Sequence, residues 1–184
     1  MQIDLSLGET RRILAACRRA GLLRAQTAYV LATAYWETNR TMLPVEEAYW
    51  LSDSWRRKNL RYYPWHGRGF VQLTWEANYR KASAKLGIDL IRDPSLAKDP
   101  EVAAQILVQG MVEGWFSAGR TLARFINETQ TDFVGAPAIV NGKDKAAEIA
   151  AIATAYLSAV PDDQGSIWLR IFKALWGIIT GKKQ

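Results

Sequence analysis

The pattern of hydrophobic and polar positions along the chain predicts a mainly helical fold. A first amphipathic helix should begin at a capping box made by Ser6 and Glu9 and should end at Gly21. The next segment, from about residue 25 to residue 37, is apolar nearly all round, which is typical of a helix in the centre of a fold. Glu37 closes this segment, so we expect a carboxylate at the C-terminal end of a buried helix.

Later segments repeat the helical signals with clear ends. The helical period returns from about residue 75 to residue 86, after which Gly87 should serve as the C-cap. Asp99 and Pro100 form a typical N-cap and first-turn pair for a helix that should continue to about Phe116. A further helix should start in RTLARFIN, and a long alanine-rich helix should cover AAEIAAIATAYLSAV.

The stretch between these helices should carry the loops and the one extended element. We expect a short helical piece at 47–50, an exposed basic loop at SDSWRRKNLRYYP, and a short strand or extended segment at FVQLTW. The prediction is therefore a single domain over residues 1–162, mainly α, with one small extended or β element.

Residues 163–184 form a distinct tail that is strongly apolar between positions 167 and 179 and ends in cations. The tail is too short to span a membrane, since a span needs about 18 apolar residues. It is either an amphipathic, cationic helix that contacts a membrane surface or a final helix docked on the core, and both interpretations stay open.

Charge and composition narrow the possible functions. The net charge of the 184 residues is +6, and the excess of Lys and Arg lies in the first 100 residues. This favours a polyanionic partner (nucleic acid, phospholipid surface or bacterial wall), or it is an ordinary solvated surface. His66 and Cys17 are the only residues of their types, which excludes multi-histidine zinc sites and an intramolecular disulfide. No phosphate-binding glycine motif occurs, so we expect no cofactor, and carboxylates remain as the catalytic resource.

Two acidic positions could form a catalytic pair. Glu37 lies at the negative end of a helix dipole beside aromatic rings, and both effects should raise its pKa, as a general acid requires, although a solvated helix end is the simpler alternative. Either Glu46 or Glu47 could face it across a cleft, stay charged and activate water. The other glutamate would then pair at the surface with Arg56 or Arg57.

The segment HGRGFVQLTWEANY supplies polar groups for a ligand site. Its two glycines let the backbone approach a ligand closely. Gln72, Thr74 and Asn78 alternate with apolar residues, and Thr74 could hold a water or a sugar hydroxyl. Arg68 fits a salt-bridge strut under the site better than a sugar contact. The Asn-Gly pair at 141–142 could simply be a type I′ turn.

Three segments, ETNRTMLPVEE, YYPWHGRGFVQLTWEANY and IVNG, resemble glycoside hydrolase family 19 and, more narrowly, the chitinase-like endolysins of phages and prophages. GRGxxQLTxxxNY is the most specific part of a resemblance that covers roughly residues 25–155. It implies a metal-free, lysozyme-like helical domain with the extended element beside the active-site cleft. By the resemblance, Glu37 is the general acid, Glu47 is the second carboxylate and Thr74 orients the water.

The resemblance also implies a substrate and a set of residues that bind it. The resemblance matches Gln72, Asn78 and Asn141 to sugar-binding positions, and Tyr63, Trp75 and Arg68 are further candidate substrate-binding residues. The implied activity is hydrolysis of the GlcNAc/MurNAc backbone of peptidoglycan by a monomer. Because the N-terminus MQIDLSLGETRR lacks a secretory signal, we expect synthesis in the host cytoplasm and action at the cell wall or in the periplasm after release.

Four alternatives remain. Three lie close to the resemblance: a chitinase acting on GlcNAc polymers, a lytic transglycosylase with one essential glutamate, and an inactive relative that only binds. The fourth is a basic helical nucleic-acid-binding module that contacts phosphates through the arginine pairs at 11–12, 18–19 and 56–57. No helix-turn-helix or zinc pattern supports it, so nucleic acid is not the expected partner.

Overall fold

Helices dominate the fold, as predicted. The computed structural model describes residues 1–117, 119–140 and 145–162. Their elements, in chain order, are α1 (Thr10–Arg19), α2 (Arg24–Glu37), β1 (Val45–Glu46), α3 (Asp53–Asn59), β2 (Arg68–Gly69), α4 (Glu76–Leu86), a 3-10 helix (Pro94–Lys98), α5 (Pro100–Glu113), α6 (Leu122–Phe125), a second 3-10 helix (Ala136–Ile139) and α7 (Ala146–Ala159). The two strands pair antiparallel, Val45 with Gly69 and Glu46 with Arg68.

Helix α2 is the central element, which confirms the prediction from its apolar sequence. Every residue from Thr27 to Ala34 is buried. Helix α7 packs along α2, and both helices place alanines in the core. The side chain of Arg24 fastens the two helices, because its guanidinium donates to the carbonyl oxygens of Leu157 at 2.6 Å and Val160 at 2.9 Å. The last residue of α2 is Glu37, so its position is fixed by the best-packed helix of the fold.

Helix α1 packs against α5. Arg12 and Arg19 both form salt bridges with Glu101 in the first turn of α5. The predicted capping box is wrong: Glu9 binds the side chain of Arg12 at 2.9 Å, and the hydroxyl of Ser6 donates to Asp4 in a turn before the helix. These local ion pairs and turn bonds satisfy the polar groups that the capping box would have used.

Helix α5 begins as predicted and ends earlier than predicted. The carboxylate of Asp99 accepts hydrogen bonds from the backbone N–H groups of Glu101 and Val102, with Pro100 in the first turn. The helix stops at Glu113 and not at Phe116, because Gly114 takes a left-handed conformation with φ of 72°. Gly87 ends α4 in the same way, which confirms its role as a C-cap.

The stretch between α2 and α4 differs most from the predictions. The segment expected as an exposed loop contains α3, whose N-cap Ser52 accepts a hydrogen bond from the N–H of Trp55. Residues 47–50 form a turn and no helix. The strand lies at Arg68–Gly69, while most of FVQLTW is a tight turn in which only Leu73 bridges back to Arg68.

The two-stranded sheet is docked on the helical body through Gly69. This residue has φ of +86°, and a Cβ added to it would lie 2.8 Å from the carbonyl oxygen of Ala97. Glycine is therefore required for both conformation and space. The contact holds β2 against the 3-10 helix Pro94–Lys98 and α5, which fixes the position of the turn that follows β1.

Some predictions fall outside the described residues. They are the C-terminal helix at 163–184 and the site residue Asn141, and the boundary at residue 162 stays a prediction. None of the helices formed by the described residues is long and apolar enough to cross a membrane. Cys17 is buried in the core, as predicted, and burial raises the pKa of its thiol to about 12.

Candidate functional site

Glu47 is held by two donors at the start of the turn that follows β1. Its Oε1 accepts a hydrogen bond from the hydroxyl of Tyr62 at 2.6 Å, and its Oε2 accepts one from the N–H of Gly67 at 2.9 Å. Its own N–H donates to the carbonyl oxygen of Gly67 at 2.8 Å. The hydrogen bond to Glu47 raises the pKa of the Tyr62 phenol, so the hydroxyl stays a donor. The carboxylate is thus oriented from both sides.

The side chain of the neighbouring Glu46 points in the opposite direction to that of Glu47, and its carboxylate is occupied by ion pairs. Its carboxylate contacts Nε of Arg68 at 3.0 Å and Nζ of Lys98 at 3.3 Å, and Nε2 of His66 at 3.1 Å. Burial alone would raise the pKa of Glu46, but the hydrogen bond from His66 and the charges of Arg68 and Lys98 lower it to about 2. Glu46 therefore belongs to the support of the sheet.

The expected surface partners of the second glutamate were wrong. Arg56 and Arg57 both pair with Asp53 within α3, at 3.7 and 3.8 Å. The reason is local geometry, since positions three and four residues apart share one face of a helix. Arg56 also donates to the carbonyl oxygens of Ala48 and Leu51, which secures the turn after Glu47.

Arg68 lies beneath the site as a strut. Its side chain is buried, and its Nη1 donates to the carbonyl oxygen of Pro64 at 2.8 Å and to the hydroxyl of Tyr79 at 3.1 Å. Tyr79 in turn donates to the carbonyl oxygen of His66 at 2.8 Å. This is the role that the sequence analysis favoured for Arg68.

Tyr63 supports the same layer. Its ring stacks on the buried ring of His66 at 5.6 Å, and its hydroxyl donates to Asp53 at 3.1 Å. Burial lowers the pKa of His66, so the imidazole is neutral and donates through Nε2 to Glu46. Tyr63 thus closes one side of the Glu46 cluster while its half-buried ring still reaches the surface.

The turn after β2 brings Gln72 next to Glu47. A Cβ built on Gly67 would lie 2.5 Å from Oε1 of Gln72 and 3.3 Å from Oε2 of Glu47, so both side chains cover the same glycine. Thr74 donates its hydroxyl to the carbonyl oxygen of Gln72 at 2.7 Å, and Asn78 donates to the carbonyl oxygen of Thr74 at 2.7 Å. Thr74 and Asn78 therefore brace the turn and are half-buried.

Exposed aromatic rings are concentrated in this part of the chain. Four aromatic side chains of the described residues are exposed: Tyr49 (66%), Trp50 (71%), Trp55 (40%) and Trp75 (44%). All four lie between positions 49 and 75. The ring centres of Trp75 and Tyr62 lie 4.9 Å apart in an edge-to-face arrangement, which connects Trp75 through Tyr62 to Glu47. Flat apolar rings beside a held carboxylate are suited to the faces of sugars.

The backbone is strained in the same region. Among the described residues, six non-glycine positions have positive φ, namely Asn39, Arg40, Met42, Ala48, Gln72 and Trp75. All six lie between residues 39 and 75. Such conformations cost on the order of 1–3 kcal/mol each and cluster at binding and catalytic sites. This distribution points to the same part of the surface as the exposed rings.

Glu37 lies at the last position of α2 and is half-buried. Burial is the main reason that the pKa of Tyr29 is raised, and the charges of Asp132 and Glu37 raise it further. Thr38 turns the chain after it, donating its hydroxyl to the carbonyl oxygen of Ala34 and accepting from the N–H of Met42. The raised pKa expected for Glu37 stays a prediction.

Several contacts at this site could not be predicted from the sequence. Three contacts depend on the fold and join residues whose pairing has no local signal. They are the hydroxyl of Tyr62 with Glu47, the ammonium of Lys98 with Glu46, and the guanidinium of Arg61 over Trp75. The adjacent Tyr62 and Tyr63 before Pro64 were a signal for aromatic contacts. Nothing in the sequence pattern showed that Tyr62 binds Glu47 and that Tyr63 binds Asp53. The described residues contain no group of three or more His, Cys, Asp or Glu that could hold a metal ion.

Comparison of the chain with protein-family models, curated proteins and solved structures found no match. The resemblance to family 19 therefore remains an expectation from short motifs. The assignment of a function depends on the geometry of Glu47 and its neighbours.

Proposed function

We propose that the chain is a lysozyme-like glycoside hydrolase that cuts the GlcNAc/MurNAc backbone of peptidoglycan, as an endolysin does in host lysis. One observation carries the proposal: both oxygens of Glu47 are held by Tyr62 and Gly67, and the exposed Trp75 packs against Tyr62. Hydrolysis of a sugar polymer requires positioned carboxylates, and Glu47 is one such group.

In this mechanism one carboxyl group is the general acid and the other is the general base. Glu37, at the end of the buried helix α2, protonates the glycosidic oxygen as the bond breaks. Glu47 accepts the proton of a water that attacks the anomeric carbon. The hydroxyl of Thr74 donates to the carbonyl oxygen of Gln72, so its own oxygen stays able to accept a hydrogen bond from that water.

The second carboxylate is Glu47 and not Glu46 in this proposal. Glu46 accepts bonds from Arg68, Lys98 and His66 and has a pKa of about 2, so it is a poor base. The donors that hold Glu47, the Tyr62 hydroxyl and the Gly67 N–H, are uncharged, which leaves its charge available for the substrate. Replacing Glu46 should therefore reduce stability, whereas replacing Glu47 should reduce turnover.

The proposal is tested by product analysis on two purified polymers. The protein is incubated with peptidoglycan sacculi and with colloidal chitin, and the new reducing ends are identified by mass spectrometry after borohydride reduction. We expect reduced MurNAc or GlcNAc ends from sacculi, and none with Glu47→Gln. Reducing ends from chitin alone would instead assign a chitinase, and anhydro-sugar ends would assign a lytic transglycosylase. A folded wild type that releases nothing from either polymer would refute hydrolysis.

A further inference from the structure

Arg61 differs from the other arginines near the site. Its guanidinium lies over the ring of Trp75, 4.8 Å from the ring centre, and the residue is exposed. Arg56 and Arg57 pair with Asp53, and Arg68 pairs with Glu46. Within residues 1–117, 119–140 and 145–162, Arg61 has no carboxylate partner. A planar cation is therefore presented to solvent on an aromatic support.

This cation is connected to Glu47 by direct contacts. The ring centres of Trp75 and Tyr62 lie 4.9 Å apart in an edge-to-face arrangement, and the hydroxyl of Tyr62 binds Glu47 at 2.6 Å. Arg61 also precedes Tyr62 in the chain, so the backbone and the contact with Trp75 both connect Arg61 to the residue that binds Glu47. Any ligand that reaches Glu47 across Trp75 passes Arg61.

An aromatic ring beside a guanidinium is suited to a sugar that carries a carboxylate. The ring contacts the apolar face of a pyranose, and the guanidinium binds a carboxylate with two parallel N–H donors. Peptidoglycan carries carboxylates on the lactyl and peptide substituents of its muramyl rings, whereas an unmodified GlcNAc polymer carries none.

We propose that Arg61 and Trp75 form a binding site for a carboxylate-bearing ring of the glycan, so that this chain prefers acidic peptidoglycan to neutral chitin. The inference rests on the proposed function, because it assigns the substrate class of the same site. It adds a residue, Arg61, that the motifs of the sequence did not single out. Arg61 touches substrate in this account but takes no part in proton transfer.

The experiment measures binding separately from cleavage. Sedimentation with sacculi, at 4 °C and short times, gives the affinity of wild type, Arg61→Gln, Arg61→Lys and the control Arg92→Gln. Arg92 is another exposed arginine, so its replacement causes the same loss of charge outside the contacts of Glu47. Each protein is also tested on sacculi whose carboxylates have been amidated with carbodiimide. Thermal melts show that every variant is folded.

We expect Arg61→Gln to weaken binding to native sacculi roughly three- to fivefold, the size of one exposed ion pair. Amidation should weaken wild type by the same factor and should leave Arg61→Gln unchanged, because the two changes remove one interaction. Arg61→Lys should recover part of the affinity, Arg92→Gln should match wild type, and the difference should shrink in 0.5 M salt.

Two results would overturn the inference. In the first, Arg61→Gln binds native sacculi as tightly as wild type does. In the second, Arg61→Gln loses the same factor of affinity, relative to wild type, on native and on amidated sacculi. The second would mean that Arg61 only supports Trp75. Failure of the proposed function has a different signature. In that case carboxylate-dependent binding through Arg61 persists while no variant, including wild type, releases reducing ends. The chain would then be a wall-binding protein.

Discussion

Glu46 and Glu47 are adjacent, yet their carboxylates face opposite environments. Successive side chains of a strand point to opposite faces, so a residue at the end of β1 and its neighbour cannot share partners. Glu46 contacts Arg68 and Lys98, whereas Glu47 contacts Tyr62 and the backbone of Gly67. The assignment of a catalytic role to one of them follows from this alternation.

Tyr62→Phe tests the orientation of Glu47. The substitution removes the hydroxyl that binds Oε1 but keeps the ring that contacts Trp75. A hydrogen bond to a charged group is worth roughly 1.5–3 kcal/mol, so we expect kcat on sacculi to fall about ten- to hundredfold. KM should change little. A variant with unchanged kcat would show that Gly67 alone suffices to orient Glu47.

Gly67→Ala tests the contact between Gln72 and Glu47. The added Cβ would lie 2.5 Å from Oε1 of Gln72, so this flexible side chain must move, and Glu47 must shift with it. We expect turnover on sacculi to fall about tenfold or more, since small misplacements of reacting groups are costly. The melting temperature should change little. Gly21→Ala is the control away from the site: no atom lies within 4 Å of its added Cβ, and its φ of +65° should lower stability without changing turnover. Equal turnover in both variants would contradict the account.

At the scale of elements, the Glu46 cluster joins three segments. It connects β1 to Arg68 of β2 and to Lys98 of the 3-10 helix. Gly69 adds the close contact with Ala97 in the same place. The sheet has only two residues per strand, so these contacts, and not the ladder, hold the turn that carries Glu47.

Glu46→Gln tests the cluster through its pH dependence. The pKa of Glu46 is lowered from 4.5 to about 2 in the folded protein, so its contribution to stability is present above about pH 4.5 and is lost as the pH falls toward 2. At pH 7 we expect the variant to have a free energy of unfolding about 3 kcal/mol lower than wild type. By pH 3 this difference should shrink by about 2 kcal/mol. Urea unfolding at both pH values measures it, and a difference that does not change with pH would contradict the assignment.

The sequence predicted those elements whose signals are local. The buried helix α2 and the start of α5 at Asp99 and Pro100 follow from periodicity and capping alone. Helix α3 was missed although Ser52 is a good N-cap, because its aromatic and basic composition was given more weight. The sheet was placed a few residues late, since the pairing of Val45 with Gly69 depends on contacts distant in sequence.

The candidate site could be predicted in composition but not in its contacts. The motifs named Glu47, Gln72 and Thr74, which the fold places in neighbouring turns. The choice between Glu46 and Glu47 was open, because the decisive partner Lys98 is 52 residues from Glu46. Such a contact has no signature in a single sequence.

For the whole molecule, the net charge is +6, but four of the arginines considered for a nucleic-acid surface are paired with carboxylates. Arg12 and Arg19 are paired with Glu101, and Arg56 and Arg57 are paired with Asp53. We therefore expect only weak DNA binding, with a log–log salt slope no steeper than about −2, because each released counterion contributes about −0.9. Retention on DNA at rising salt measures this slope. A slope of −5 or steeper would favour the nucleic-acid-binding alternative.

The central claim, catalysis by two carboxylates, is tested most directly by the initial rate of reducing-end release from purified sacculi. Wild type, Glu37→Gln and Glu47→Gln are compared with Glu76→Gln, which removes a surface carboxylate paired with Arg80. We expect each of the first two variants to lose about a hundredfold or more, and Glu76→Gln to keep the wild-type rate. A folded Glu47→Gln that retains near-wild-type activity while Glu37→Gln is inactive would contradict the account and indicate chemistry with a single glutamate.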